Sequence, residues 1–139
     1  MPNVRVITPD QLLGDGQTGP FPLDGFKWLL LAQGDSWFSM GHVPPWKTTN
    51  LFDGMSTDDA ALVVNCARPS AELTHMTDAV QSPAFHAQWC GRLERRWNAL
   101  LLSGLGNDVI SAARSAPDNS PRTRLLARPE EWPADPAAS

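Results

Sequence analysis

Residues 28–36 read WLLLAQGDS, an apolar run that stops at a glycine and is followed by an acidic residue and a serine. A short uninterrupted apolar run is typical of a strand that is buried on both faces, as in the interior of a parallel sheet. The run therefore predicts a first buried strand over residues 27–33, with Gly34 ending it. Ser36 then lies at the carboxyl edge of the sheet, where open α/β proteins bind their ligands.

Two further apolar runs have the same character. Residues 60–66 (AALVVNC) and 98–103 (NALLLS) predict a second and a third buried strand. A short helix is predicted around residues 51–55, and another over 70–80 with Ser70 as its capping residue. Strands and helices that alternate in this way are typical of an α/β fold with a parallel sheet.

The strongest helix signal begins at Ser82-Pro83, since proline is common at the first position of a helix. Apolar residues then recur every four positions, with arginines on the opposite side. The apolar positions are Phe85, Trp89, Leu93 and Trp97. The arginines, Arg92, Arg95 and Arg96, form what we call the arginine cluster. We interpret this cluster as the solvent-facing side of one amphipathic helix.

Composition restricts the class of protein. The 139 residues suffice for one ordinary domain, and a hydrophobic share of 42% can supply a packed core. The formal net charge is −4 and the eleven Lys and Arg are scattered, so we expect no nucleic-acid partner. The longest strictly apolar run, 28–32, is too short to cross a bilayer, and no secretory signal is visible, which predicts a cytoplasmic protein. Cys66 and Cys90 have no zinc-binding spacing, so we expect free thiols and no metal.

Patterning divides the chain into three parts. These are an N-terminal extension over 1–26, an α/β core over 27–113 and a tail rich in Pro, Arg and Ala over 114–139. Within the extension, Thr8-Pro9 predicts the start of a short helix. Residues 14–19 (GDGQTG) match the dinucleotide-binding pattern G-x-G-x-x-G, but no strand is predicted before them and no helix after them. We therefore expect a surface loop there and no cofactor.

Polar residues follow all three predicted strands. Ser36 follows the first, a turn over 65–70 follows the second, and Asn107 lies in the glycine-rich turn after the third. A serine hydroxyl can attack an acyl carbon once a base removes its proton, and backbone N–H groups or an Asn amide can hold the resulting oxyanion. Alternatively, Asp35 and Ser36 only cap the next turn. The convergence of three polar turns at one sheet edge favours the nucleophile.

These turns resemble the sequence blocks of the SGNH (GDSL-like) hydrolases. The resemblance rests on GDSW (34–37), the Asn-led turn (65–70) and LLSGLGNDV (101–109). It implies a flavodoxin-like, three-layer α/β fold whose first three strands take the order 2-1-3, and ester hydrolysis by a Ser-His-Asp triad. It also implies that Ser36 is the nucleophile. The oxyanion would then bind to the N–H groups of Ser36 and Ser70 and to the Asn107 side chain.

The chain departs from the family pattern at three points. The family has a glycine where Ser70 stands, and commonly one where Leu105 stands. The Asp-x-x-His block that supplies the catalytic base near the family's C-terminus is absent. The histidines of this chain are His42, His75 and His86. The first follows Ser36 too closely to reach back to it, and the other two fall in predicted helices.

We therefore expect the N-terminal part of a longer serine esterase that acts on a small or medium acyl ester and has little activity by itself. Two alternatives remain open at this point, a non-catalytic SGNH-like binding module and an assembly fragment. The third predicted strand would be an exposed apolar edge. This predicts that another segment, a partner chain or a second copy covers it.

Overall fold

The computed structural model describes residues 3–14, 19–39, 50–76, 78–93 and 95–114. Its strands are β1 (Val4–Ile7), β2 (Trp28–Gln33), β3 (Ala61–Asn65) and β4 (Ala99–Leu102). Its helices are α1 (Pro9–Leu13), α2 (Ser36–Ser39), α3 (Leu73–Met76), α4 (Pro83–Trp89) and α5 (Gly106–Arg114), with a 3-10 helix over Leu51–Gly54. The predicted α/β class and parallel sheet are confirmed, in an architecture compatible with a flavodoxin-like fold.

The sheet has the strand order β1-β3-β2-β4, so the three predicted strands lie side by side as β3-β2-β4. β3 is interior, because Val63 pairs with Val6 on one side and with Leu30 on the other. β4 is an edge strand, and its Leu101 pairs with Ala32 of β2. Since every pair is parallel, the carboxyl ends of all four strands meet at one edge of the sheet.

β1 lies in a segment where the sequence predicts no strand. Only Ile7 of its four residues is buried, while Arg5 is exposed with its guanidinium over the Phe21 ring. A short edge strand needs so little apolar surface that its pattern resembles that of a loop. The helix start predicted after it is confirmed: the Thr8 hydroxyl accepts the Gln11 N–H, and the Gln11 side chain accepts the Thr8 N–H.

Helices cover both faces of the sheet, which gives three layers. On one face, α1 and α4 contribute Leu12 and Phe85 to a core cluster that includes Leu31 of β2. On the other face, α2 and the 3-10 helix contribute Phe38 and Phe52, whose ring centroids lie 4.6 Å apart. Neighbouring residues of a strand point to opposite faces, so an uninterrupted apolar strand serves both clusters.

α4 ends at Trp89, well short of the predicted periodic run. The chain turns because Gly91 lies against the last helical turn, where a Cβ would come within 2.7 Å of the Ala87 Cα. The Leu93 N–H donates back to the Ala87 carbonyl at 3.0 Å and closes the turn. The interpretation of the arginine cluster as one helix face is therefore wrong, because the cluster lies in the connection from α4 to β4.

α3 covers only Leu73–Met76 of the helix predicted over 70–80. Ser70 does not act as its cap, since a φ of 61° places Ser70 in the left-handed region. The helix start is bound instead by Asp108, whose carboxylate accepts the first helical N–H at 3.1 Å. The turn that follows is held by Asp78, whose Oδ1 accepts the N–H groups of Val80 and Gln81 at 2.8 Å.

Candidate functional site

The carboxyl edge of the sheet brings three loops together around the end of β2. The Arg68 N–H, beyond β3, donates to the Gly34 carbonyl at 2.9 Å. On the other side, the Ser103 N–H, beyond β4, donates to the Gln33 carbonyl at 3.1 Å. These bonds continue the pairing past the strand ends, so the turns that follow all three predicted strands lie side by side at this edge. We call the region between these turns the β2 crevice.

The β2 crevice lies where the chain connections diverge to opposite faces of the sheet. The chain leaves β2 through α2, whose Phe38 packs on one face. It leaves β3 on the way to α4, whose Phe85 packs on the other face. In open α/β sheets such a divergence leaves a gap between the two connections, and ligands bind there. Topology alone therefore makes the β2 crevice the candidate site.

Gly34 allows the end of β4 to approach the end of β2 closely. A Cβ at Gly34 would lie 2.1 Å from the Ser103 hydroxyl oxygen and 2.8 Å from the Ser103 carbonyl oxygen. Both separations are far below van der Waals contact, so no residue with a side chain fits without moving β4. The glycine of the GDSW block is therefore required by packing, whatever the chemistry of the site.

Asp35 holds the turn between β2 and α2. Its side chain is 1% exposed, and its Oδ1 accepts the Ser103 hydroxyl at 2.9 Å and the Trp37 N–H at 3.2 Å. The Ser103 hydroxyl oxygen in turn accepts the Asp35 N–H at 3.2 Å. The Asp35 carbonyl accepts the Ser39 hydroxyl at 2.8 Å, which closes the short helix. Asp35 and Ser103 thus fix the backbone on both sides of Ser36.

Ser36 is the first residue of α2 and is half-buried at the mouth of the β2 crevice. Within the described part of the chain, its hydroxyl has no hydrogen-bond partner. Its neighbour Trp37 is 61% exposed, whereas Phe38 is buried in the core. The turn therefore anchors one aromatic side chain and leaves the serine hydroxyl available.

Asn107 and Ser70 lie on two loops that contact each other at this edge. The Asn107 Nδ2 donates to the carbonyl of Ala71, the residue after Ser70, at 3.0 Å. A primary amide carries two N–H hydrogens, so this bond leaves a second one for another acceptor. The Asn107 amide therefore ties the start of α5 to the loop after β3.

The start of α5 also contacts the turn that carries Ser36. A Cβ built on Gly106 would lie 3.8 Å from the Asp35 Oδ2 and 3.9 Å from the Trp37 Nε1. The structure thus brings the loops of Ser36, Ser70 and Asn107 to one crevice, as the sequence predicts. The roles of these three residues in catalysis stay predictions.

Two residues beside the crevice adopt a backbone conformation that favours glycine. Ser70 has a φ of 61° and Leu105 a φ of 78°; in the described part of the chain they are the two non-glycine residues with positive φ. A left-handed conformation costs an L-residue about 1 kcal/mol or more, and a bulky side chain is uncommon there. Both residues lie on the turns that border the β2 crevice, so the backbone strain is concentrated at the candidate site.

The structure supplies no base for Ser36 from the histidines that it describes. His75 lies in α3 and His86 in α4, and no hydrogen bond joins either imidazole to Ser36. His42 lies outside the described residues. A general base must come within hydrogen-bond reach of the hydroxyl that it deprotonates.

A cavity of about 360 Å³ lies between the loop after β3 and the starts of α1 and α4, and its lining includes none of Ser36, Ser70 and Asn107. Cys66, Ala67, Pro83 and Phe85 form much of its apolar lining, and Arg68 lies at its border. Burial raises the pKa of the Cys66 thiol to about 12, so this thiol stays protonated at neutral pH. Because the thiolate is the reactive form, Cys66 does not compete with Ser36 as a nucleophile.

Other classes of site find little support in the described residues. They contain no group of three or more His, Cys, Asp or Glu side chains placed to hold a metal ion. None of their helices has the length and apolarity needed to span a membrane. Most of the G-x-G-x-x-G match over 14–19 lies outside them, and Gly14 follows the end of α1 rather than a strand.

The sequence does not predict that Ser103 helps to fix the backbone beside Ser36, and it indicates only part of the role that Asp35 has there. The sequence does suggest the contact between them, because Gly34 directly follows the first predicted strand and Ser103 is the last residue of the third. What the sequence does not show is the pairing register, in which Gln33 lies opposite Leu102 and brings the next two residues together. The sequence likewise does not show that Asp108, within residues 101–109, binds the start of α3 through its carboxylate.

Comparison with known proteins finds no match: no family model, no curated protein and no solved structure is similar to this chain. The functional assignment therefore depends on the geometry of the β2 crevice and on the chemistry of the residues that border it.

Proposed function

We propose that this chain carries the nucleophile and the oxyanion-binding groups of a serine ester hydrolase of the SGNH type. In this proposal the Ser36 hydroxyl attacks the acyl carbon of an ester. The negative oxygen that forms accepts hydrogen bonds from the Ser36 and Ser70 N–H groups and from the Asn107 amide. The observation that carries the proposal is the Ser36 hydroxyl, which has no hydrogen-bond partner among the described residues and lies where the turns of three strands meet.

Backbone conformation adds support from the two positions where the chain departs from the family pattern. Glycine is expected at the positions of Ser70 and Leu105, and these residues have φ values of 61° and 78°. The backbone thus has the conformation that glycine favours, although the residues are not glycine. In our proposal the Ser70 N–H keeps its role in the oxyanion hole for this reason.

The reaction proceeds through an acyl-enzyme. A bond forms between the Ser36 Oγ and the acyl carbon while the hydroxyl proton passes to a base. The ester C–O bond then breaks, and the alcohol leaves with that proton. Water, deprotonated by the same base, hydrolyses the acyl-Ser36 ester. We assign the base to a residue outside the described ones, and without a base within reach of its hydroxyl Ser36 reacts slowly.

We propose that the cavity after β3 holds part of a small or medium ester. Its volume is about 360 Å³, at the lower end of the range for small-molecule sites. The loop that lines it is hydrogen-bonded to the end of β2 through Arg68 and Gly34. The apolar lining offers a place for the acyl group or the alcohol of such an ester.

Covalent labelling tests the nucleophile directly. We expect a fluorophosphonate to label the chain at Ser36, and free imidazole in the buffer to speed the labelling by acting as a base. Ser36→Ala should abolish the label. Ser39→Ala is the matched control, because Ser39 lies on the same short helix and should leave the label in place. Failure to label Ser36 with imidazole present, or equal labelling of Ser36→Ala, contradicts the proposal.

One observation favours a second candidate function, assembly through β4. Leu102 lies on this edge strand and is 65% exposed. Exposed apolar edge strands are templates for pairing with another chain, and here we propose a second copy. Light scattering should then detect a dimer that Leu102→Lys dissociates. A monomer at all concentrations argues against assembly and leaves the esterase proposal untouched.

A further inference from the structure

A second cavity opens at the amino edge of the sheet, on the opposite side from Ser36. Its volume is about 450 Å³, and its lining consists of Trp89, Arg95, Arg96, Trp97 and Asn98. We propose that this cavity binds a small anion with a planar ring, of the chemical class of a nucleoside monophosphate. The proposal is independent of the esterase function.

Both indole rings of the cavity are held in place by the core. The Trp97 Nε1 donates to the Gln88 carbonyl at 2.9 Å. The Trp89 ring lies nearly parallel to the ring of buried Phe85, with centroids 6.4 Å apart and an interplanar angle of 7°. Trp89 nevertheless remains 47% exposed. A fixed and partly exposed indole is a stacking surface for a planar ring, and it loses little entropy on binding.

Among the described residues, no carboxylate forms an ion pair with either guanidinium group of the cavity, Arg95 or Arg96. The Arg95 Nε is buried and has no hydrogen-bond partner. A buried donor without a partner is costly, and an oxyanion is the acceptor that an arginine binds best. Glu94, the nearest acidic residue in the sequence, lies outside the described residues.

The site is formed by the turn that the sequence does not predict. Because α4 ends at Trp89 and the chain reverses at Gly91, the residues before β4 come back alongside the end of the helix. Asn98 fixes their position: its N–H donates to the Leu29 carbonyl and its Oδ1 accepts the Leu29 N–H, both at 2.8 Å. The arginines and the indoles are thereby brought to one cavity.

A small anion fits this cavity better than a polyanion. The formal net charge of the chain is −4, so the protein as a whole repels a nucleic-acid strand at long range. A single phosphate meets only the local positive charge of Arg95 and Arg96. The cavity also lies within the size range of small-molecule sites.

Titration of the full chain with AMP tests the proposal, with binding followed by calorimetry and by quenching of tryptophan fluorescence. We expect Arg95→Gln and Arg96→Gln each to weaken AMP binding about tenfold, the effect of losing one charged hydrogen bond. Arg92→Gln is the matched control, because it removes the same charge next to the cavity but outside its lining. Ser36→Ala should bind AMP like the wild type, which separates this site from the esterase.

Each comparison in the titration has an outcome that overturns the proposal. Adenosine and inorganic phosphate should both bind at least about tenfold more weakly than AMP. If either one binds as tightly as AMP, the cavity does not bind the ring and the phosphate of one ligand at the same time. If Arg92→Gln weakens AMP binding as much as Arg95→Gln and Arg96→Gln do, the loss of affinity is a general effect of net charge. Absence of AMP binding at millimolar concentration, or tighter binding of a 5′-phosphorylated oligonucleotide, also contradicts it. Thermal unfolding of the variants shows that they remain folded.

Discussion

β3 and β4 are both short apolar strands, yet they occupy different environments. β3 reads ALVVN, and its residues from Ala61 to Val64 are fully buried. β4 reads ALLL, and none of its residues is buried, with Leu102 at 65% exposure. The apolar content of a strand therefore does not determine its position in the sheet.

The difference arises from the neighbours of each strand. β3 pairs with β1 and β2, and side chains from both core clusters pack on its two faces. β4 pairs with β2 on one side, and among the described residues no strand pairs with its other side. Val109 and Ile110 of the following helix α5 are also exposed. Five experiments can sharpen or break this comparison.

The largest effect is expected from shortening a side chain in the middle of β3. Leu62 is 0% exposed, and Leu62→Ala should lower the free energy of unfolding by about 3 kcal/mol because it leaves a cavity in the core. Leu102→Ala in β4 makes the same chemical change and should cost less than about 0.5 kcal/mol. Denaturant unfolding measures both values. Equal losses would show that β4 is as well covered as β3.

A pH change should reveal the burial of the residue that follows β3. Burial raises the pKa of Cys66 from 9.0 to about 12, so between these values the folded chain keeps a proton that the unfolded chain loses. This stabilisation is complete below pH 9 and is lost as the pH rises toward 12. At pH 11 we expect a loss of about 2–3 kcal/mol in unfolding free energy that Cys66→Ala does not show.

Alkylation provides a second measurement of the same burial. Iodoacetamide should modify the exposed Cys90 at pH 8 and spare Cys66, because only an accessible thiol that forms thiolate reacts. Modification of both cysteines at similar rates, or identical pH dependence of wild type and Cys66→Ala, would show that the end of β3 opens readily.

The contact between the ends of β2 and β4 should tolerate no side chain. Gly34→Ala places a Cβ within 2.1 Å of the Ser103 hydroxyl and should cost about 2 kcal/mol, since β4 must move away. Gly54→Ala is the control, because a Cβ there meets nothing within 4 Å. Unfolding free energies of the two variants give the comparison. If Gly34→Ala leaves the free energy of unfolding unchanged, β4 shifts freely, as a weakly held edge strand can.

The smallest effect is expected from relief of backbone strain after β4. Leu105 has a φ of 78° and is exposed, so Leu105→Gly should raise the free energy of unfolding by up to about 1 kcal/mol. Leu102→Gly in β4, where the backbone is extended, should instead be destabilising. Thermal unfolding of both variants tests this, and a destabilised Leu105→Gly would show that the Leu105 side chain contributes packing that outweighs the strain.

Local pattern was sufficient to predict β2, β3 and β4, because each is an uninterrupted apolar run that ends in polar turn residues. It was also sufficient to select the loops of Ser36, Ser70 and Asn107, since parallel strands deliver their following turns to one edge. The capping box at Thr8 is local as well, and its residues lie within one turn. Each of these features depends on neighbours in the sequence.

Long-range contacts were needed for the rest. β1 has too few buried residues to be recognised without its partner β3, and the end of α4 depends on the close packing of Gly91. The bonds between Asp35 and Ser103 join residues that are distant in the chain, and they depend on the pairing register of β2 and β4. No local pattern reports such a register.

By itself, the sequence determined that this protein forms a parallel α/β sheet with a serine at its carboxyl edge. The reason is that burial of an apolar run, and its end at Gly34, are properties of consecutive residues. Only the tertiary structure decided which apolar strand is interior and which is exposed. It also decided that Arg95 and Arg96 lie beside two tryptophans at the opposite edge, because a chain reversal places residues together that no periodicity relates.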